Sequence, residues 1–355
     1  MTNFELIDSK TNRKGIYHTR NGIFHTPCFA PDATRGTIKH LTPRDFEDVG
    51  LELILSNTYH LMLRPGEDIV QKAGGIKKFI GHNGPMLTDS GGFQAFSLVH
   101  RSKLGKITNE GVEFQSHLDG KKHLLTPELS IEIQYKLGAD ILMVLDECVP
   151  NPCDKKYAEK AMHRTFEWAQ RSKLQFDKLT KEDENPPHLW GIIQGSTYDD
   201  LRIASAEQIL SLDFAGYAVG GLAVGEEAEE MYRILELLNP ILPQDKPRYL
   251  MGIGTPQNIQ NAVKLGIDVF DSVLPTRNAR HGFLFTSEGV VRIKNEKYKE
   301  DFSVLDKNCN CYACSGKFTK AYIRHLLNVD EPLGKHLCTI HNLTFYQDLM
   351  RNYWQ

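Results

Sequence analysis

Short apolar runs that each end in a polar or glycine-rich cluster constrain this 355-residue chain more than any other feature. LELILS ends at Asn57-Thr58-Tyr59-His60, PMLT at Asp89-Ser90-Gly91-Gly92, and DILMVL at Asp146-Glu147. LWGII ends at Gln194-Gly195, FAGYAV at Gly220-Gly221, YLM at Gly252-Ile253-Gly254, and GIDVF at Asp271-Ser272. Each run is the length of a strand buried on both faces, as in a parallel sheet. Helical spacing separates several of them, over 127–137, 157–174, 199–210, 226–238 and 256–265. Thr126-Pro127 and Thr255-Pro256 read as an N-cap followed by proline at the first helical position. Strand and helix in alternation mean an α/β fold. Seven or more such units favour a closed (β/α)8 TIM barrel over a doubly wound sheet, and no GxGxxG fingerprint opens a helix. The polar clusters then fall at the C-terminal ends of the strands, where such barrels carry their active sites.

Residues 1–276 are expected to form the main part of the barrel. Two β-hairpins are expected as insertions: one within 86–125, turning at Asp119-Gly120, and one over 283–295, with Glu288-Gly289 near its turn. With 41% hydrophobic residues the chain can bury a large core. No apolar run approaches the ~18 residues of a membrane span. The N-terminus is polar and lacks the apolar core of a signal peptide. A cytoplasmic protein with no membrane partner is expected.

Net charge is −3, but residues 277–324 carry +5, which leaves −8 on the rest. A basic C-terminal third on an acidic body can be the electrostatic footprint of a nucleic-acid partner, or a solvated surface. Cys309, Cys311 and Cys314 lie within this segment, and three thiolates so close can wrap one tetrahedral zinc. The fourth ligand must come from elsewhere, with His325, His336, Cys338 and His341 as candidates. A closed four-ligand site is structural, and here it would staple a small subdomain over 277–345. Residues 346–355 are expected to end a C-terminal helix that packs back on the barrel.

Asp89, Asp146 and Asp271 stand at expected strand ends. Any one alone reads as a cap or turn residue. Three at one barrel rim, with Gln194 and the Gly220-Gly221 pair, suit chemistry at an anomeric carbon: one carboxylate attacks and another moves a proton. Glycine backbone beside carboxylates also suits a flat, purine-like ring that presents donors and acceptors together.

Together these segments resemble the tRNA-guanine transglycosylase family. The resemblance rests on SNTYHL at 56–61, TDSGGFQ at 88–94, SHLDG at 116–120, DECVP at 146–150, IIQG at 192–195, VGGLAVGE at 219–226, YLMGIG at 249–254 and FDSVLPTR at 270–277. It runs from about residue 15 to residue 350. It implies a (β/α)8 barrel with a zinc subdomain, usually a homodimer, that swaps the anticodon wobble guanine of certain tRNAs for a 7-deazaguanine. It further implies Asp271 as the nucleophile on ribose C1′ and Asp89 as the proton shuttle. Asp146, Gln194 and Gly221 would bind the base edge, and Phe93 and Met251 would sandwich its ring. Arg277 and Arg280 would contact RNA. One structural zinc per subunit would sit on Cys309, Cys311, Cys314 and His341. The tRNA would carry a uridine-guanine-uridine anticodon core. Val224 and Cys148 are similar to bacterial members, which use 7-aminomethyl-7-deazaguanine.

The chain departs from the family at 30–38, where APDATRGTI stands for a PVGTQATV-like stretch. That segment lies early in the barrel and could touch the base or neighbouring RNA. Phe93 takes the place of a tyrosine found in some relatives. A related transglycosylase acting on DNA, and a non-catalytic partner subunit of a heterodimer, are the alternatives. Retention of Asp89, Asp146 and Asp271 weighs against the second. A metal-dependent barrel hydrolase would need an open histidine and carboxylate site, and no HxH pattern stands at the strand ends.

Overall fold

The computed structural model describes residues 3–9, 12–102 and 105–354, with the side chains of residues 100–102 excepted. Eight parallel strands build its centre: β1 (Cys28–Pro31), β2 (Ile54–Ser56), β3 (Met86–Thr88), β4 (Ile141–Met143), β5 (His188–Ile193), β6 (Gly216–Val219), β7 (Arg248–Leu250) and β8 (Val269–Ser272). They are hydrogen-bonded in chain order from β2 round to β8, and β8 pairs in turn with β1. The last gap, between β1 and β2, is bridged by a parallel contact of Asp32 with Leu55. There the Ala33 N–H donates to the Leu55 carbonyl at 2.6 Å. The barrel is therefore all but closed, as the alternating pattern required.

The seven apolar runs account for β2 to β8. β1 is not visible as such a run, because its four residues, CFAP, are flanked by Pro27 and end on Pro31. The helices between strands match the expected spacing closely. Pro127–Leu137 and Asp199–Leu210 have the expected bounds, while the expected 157–174 helix extends to Lys155–Thr180. Thr126 and Thr255 cap as their sequence context requires, accepting from the Leu129 N–H at 3.1 Å and the Asn258 N–H at 3.2 Å. Among the described residues no helix is long and apolar enough to cross a membrane.

Three additions surround the barrel. The first insertion is a sheet of Gly105–Ile107, Val112–Gln115 and Lys122–Leu125, so the expected hairpin gains a third strand. The second is the expected hairpin, Phe283–Thr286 with Gly289–Arg292. The third was not legible: Phe4–Asp8, Lys14–Thr19 and Gly22–Thr26 form an antiparallel sheet under the N-terminal ends of the strands. Its Tyr17 is fully buried, and its hydroxyl meets His188 Nδ1 at 2.8 Å and accepts from Trp190 Nε1 at 2.9 Å. That bottom is also sealed by ion pairs. Asp268 takes Arg13 at 3.0 Å, and Asp140 takes Lys77 at 3.1 Å and Arg20 at 3.6 Å.

Candidate active site

The opposite end of the barrel is open. A cavity of about 560 Å³ lies over the C-terminal ends of the strands, lined among others by Asp32, Asp89, Asp146 and Asp271. The two barrel ends treat carboxylates in opposite ways. Asp140 and Asp268 at the bottom each face a cation, whereas among the described residues no lysine or arginine pairs with the four carboxylates at the top. Buried carboxylates are stabilised by cations or hydrogen bonds, and those held away from cations are kept chemically labile.

Asp89 follows β3. Its Oδ1 accepts from the Thr58 N–H at 2.8 Å and the Gly91 N–H at 3.1 Å, and its Oδ2 accepts from the Asn57 side-chain amide. Burial outweighs these donors and pushes the carboxyl up to about 7, with the Asp271 charge adding to the rise. Asp271 closes β8. Its Oδ1 accepts from the Tyr249 hydroxyl at 2.5 Å and the Gly252 N–H at 2.9 Å. Burial raises this carboxyl too, and the two donors oppose the rise. Both hydrogen bonds fall on one oxygen, and among the described residues no hydrogen bond to Oδ2 is seen.

Asp146 follows β4 and is pushed up to about 6 by burial, against a hydrogen bond from Gln194. Gln194 follows β5, is buried, and donates Nε2 to Asp146 Oδ2 at 2.6 Å, while its Oε1 has no hydrogen-bond partner among the described residues. The adjoining Glu147 is different in role: Arg164 and the Tyr157 hydroxyl engage it, so it is a packed structural acid. Gly221 follows β6 at φ +64, and a Cβ there would stand 2.2 Å from Gln194 Oε1. Only glycine lets this backbone lie against the amide. Fully buried Arg202 fixes both loops from behind, donating to the carbonyls of Ile193 (3.1 Å), Ser196 (2.6 Å), Gly220 (2.8 Å) and Gly221 (3.2 Å).

Phe93 and Met251 both line the cavity. They follow β3 and β7, strands on opposite sides of an eight-stranded barrel, so a flat ring between them would be gripped on both faces. Arg277 reaches the cavity rim from the helix Leu274–His281; Arg280 is on the same helix but does not line the cavity. It belongs instead to a cationic group with Lys39 and Lys335 around His40, which burial depresses and these charges depress further.

The expected cysteine cluster is assembled. The ligand atoms of Cys309, Cys311, Cys314 and His341 all lie within 4.8 Å of one another. His341 Nδ1 is 3.6 Å from Cys311 Sγ and 3.4 Å from Cys314 Sγ. Ligands about 2.0–2.3 Å from a tetrahedral zinc stand roughly 3.5 Å apart, so the donor set and spacing fit one closed zinc. The other ring nitrogen, Nε2, meets the Phe285 carbonyl at 2.8 Å, which fixes the ring with Nδ1 toward the sulfurs. Cys338 is buried, but it is not part of the cluster.

Three contributors were not singled out by the sequence. Asn57 and Tyr249 lie inside motifs quoted above, SNTYHL and YLMGIG, but their type alone did not mark them as carboxylate donors. Asp32 lies in the divergent 30–38 stretch.

A sequence profile described as queuine tRNA-ribosyltransferase matches residues 8–355. A protein of that name from Thermodesulfovibrio yellowstonii is 52% identical over 334 residues, covering 94% of this chain and 85% of its own. Its namesake from Desulforamulus reducens is 52% identical over 340 residues, covering 96% and 89%. That from Haemophilus ducreyi is 53% identical over 325 residues, covering 92% and 83%.

Proposed function

The chain belongs to the queuine tRNA-ribosyltransferase family, and on that premise we propose that it exchanges the wobble guanine of tRNA for 7-aminomethyl-7-deazaguanine through a ribosyl–Asp271 ester, in queuosine biosynthesis. The observation that carries this reading is the group of carboxylates at the barrel top with no cation paired to them among the described residues, of which Asp89, Asp271 and Asp146 take neutral donors. Asp271 Oδ2 attacks C1′ as the glycosidic bond to guanine breaks, and the proton that guanine needs comes from Asp89. The incoming base then gives its ring N–H proton to Asp89 and displaces the ester. Protons balance over the cycle, and no redox or nucleotide cofactor enters. A carboxyl near pH 7 suits a group that must both give and take a proton at neutral pH.

Asp146 and Gln194 present a carboxylate and an amide to the base edge, with the Gly220-Gly221 backbone beside them. Phe93 and Met251 sandwich the ring. The target base must leave its stack for C1′ to reach Asp271. Arg277, Arg280 and the cations around His40 meet phosphates and position the RNA without reading its bases. The zinc on Cys309, Cys311, Cys314 and His341 is structural and holds this basic segment in shape. We place the tRNA's uridine-guanine-uridine core over the cavity, and two copies of the chain in the working enzyme. The carboxylate set weighs against a non-catalytic partner subunit.

The test is incorporation of labelled guanine into such a tRNA, then its chase by 7-aminomethyl-7-deazaguanine. Uptake followed by release is expected. Uptake into the matching DNA stem-loop and none into tRNA would replace this reading with the DNA one. Arg202→Met would leave the Ser196, Gly220 and Gly221 carbonyls without the guanidinium, while the Ile193 carbonyl keeps the Gly220 N–H at 3.0 Å. We expect a loss of about 3 kcal/mol in a denaturant melt, and a KM for free base that rises more than kcat falls.

A further inference from the structure

Asp32 is the one carboxylate in the cavity to which the reading above assigns no task, and its placement follows from the strand register. In the parallel β8–β1 ladder Asp271 lies opposite Ala30 and Ser272 opposite Pro31. Side chains alternate along a strand, so Asp32, two residues beyond Ala30, shares the face of Asp271. The parallel bridge to Leu55 holds Asp32 where the barrel closes, and it lines the same cavity as Asp271 and Asp89.

Its surroundings differ from those of the other two. Asp89 has backbone and amide donors and Asp271 has Tyr249 and Gly252, but among the described residues no hydrogen bond or cation satisfies the Asp32 carboxyl. Burial and the charges of Asp271 and Asp89 hold it well above the ordinary carboxylate range. Asp271 has two donors to hold a negative charge and Asp32 has none, so of the two Asp32 is the one favoured to carry a proton. A neutral carboxyl both donates and accepts, which is the pattern of a hydroxyl partner.

The base-edge groups stand on β4 to β6, across the barrel. A sugar joined to that base, with C1′ at Asp271 on β8, lies toward β8 and β1. Within a polynucleotide the 3′ and 5′ oxygens are esterified, so the only free sugar hydroxyl is the 2′-OH, on the carbon next to C1′. We propose that Asp32 hydrogen-bonds the 2′-hydroxyl of the target nucleotide and makes the exchange selective for ribose at that position. The inference rests on the base-exchange reading and gives its substrate selectivity a residue. Contacts to the hydroxyl adjacent to the anomeric carbon strengthen as positive charge develops on the sugar.

The test compares an anticodon stem-loop RNA with the same RNA carrying one 2′-deoxyguanosine at the exchanged position, for wild type, Asp32→Ala and Asp32→Asn. Wild type is expected to favour the ribo substrate by roughly tenfold or more in kcat/KM. In Asp32→Ala the ratio should fall to within about twofold, the loss falling on the ribo substrate. Asp32→Asn, which still donates and accepts, should retain part of the ratio. A ratio unchanged in whichever variant folds, or no preference in wild type, overturns the proposal. Exchange by wild type on neither substrate would take down the base-exchange reading itself.

Discussion

Asp271→Asn should abolish guanine exchange, with kcat/KM falling by at least about 10³-fold, or ~4 kcal/mol of transition-state stabilisation. An amide keeps the size of the side chain and can still meet the Tyr249 hydroxyl and the Gly252 N–H through its carbonyl oxygen. It presents its NH2 where Oδ2 stood, and that group is no nucleophile. Folding should be preserved or improved, because a buried carboxyl raised by desolvation loses stability as pH climbs above its unfolded value. An asparagine there does not ionise. The measurement is single-turnover exchange beside a thermal melt at pH 7. A variant that melts as wild type and still exchanges would remove Asp271 from the chemistry.

Removing the zinc should damage RNA binding and stability before it touches base binding. His341 lies in the helix Pro332–Arg351, and the next residue, Asn342, holds three strands of chain together. Its Nδ2 donates to the Pro275 and Phe283 carbonyls at 3.0 Å each, and its Oδ1 accepts from the Phe285 N–H at 3.1 Å. Pro275 belongs to the helix that carries Arg277 and directly follows β8. Loss of the metal therefore loosens the hairpin and the helix that carries Arg277 together. Chelation, or Cys314→Ser, should lower Tm by on the order of 10 °C, since structural zinc contributes folding energy directly. KM for tRNA should rise at least tenfold while free base binds nearly as before. If chelation stopped exchange with the melt and the tRNA affinity unchanged, the metal would be catalytic and the closed site misread.

Much of this architecture was legible because each strand of an all-parallel barrel is an unbroken apolar run. Aspartates that line the cavity follow β3 and β4, at Asp89 and Asp146, and another lies within β8, at Asp271. The helices were legible from spacing and from the Thr-Pro pairs at 126–127 and 255–256. β1 escaped because a four-residue strand between prolines carries no run to read. The N-terminal sheet escaped because its job, setting its own Tyr17 against Trp190, is defined only by what it plugs. Of the site, residue identity placed Asp89, Asp146 and Asp271 at the rim, but it did not separate a labile carboxylate from a paired one. Asp140 and Asp146 flank the same strand; the cations Lys77 and Arg20 reach the first, and the neutral amide of Gln194 the second. That distinction needs the partners in space. Asp32 escaped for the same reason, since its meaning comes from the neighbouring strand.

Double displacement requires a covalent bond between Asp271 and the sugar. Wild-type enzyme mixed with an anticodon stem-loop RNA, without added base and then denatured, can be weighed by intact mass spectrometry. The expected species is protein plus RNA minus guanine, with the adduct mapped to the peptide that contains Asp271 and missing in Asp271→Asn. Enzyme that exchanges base yet yields no such adduct, or an Asp271→Asn variant that still forms one, would contradict the double-displacement mechanism.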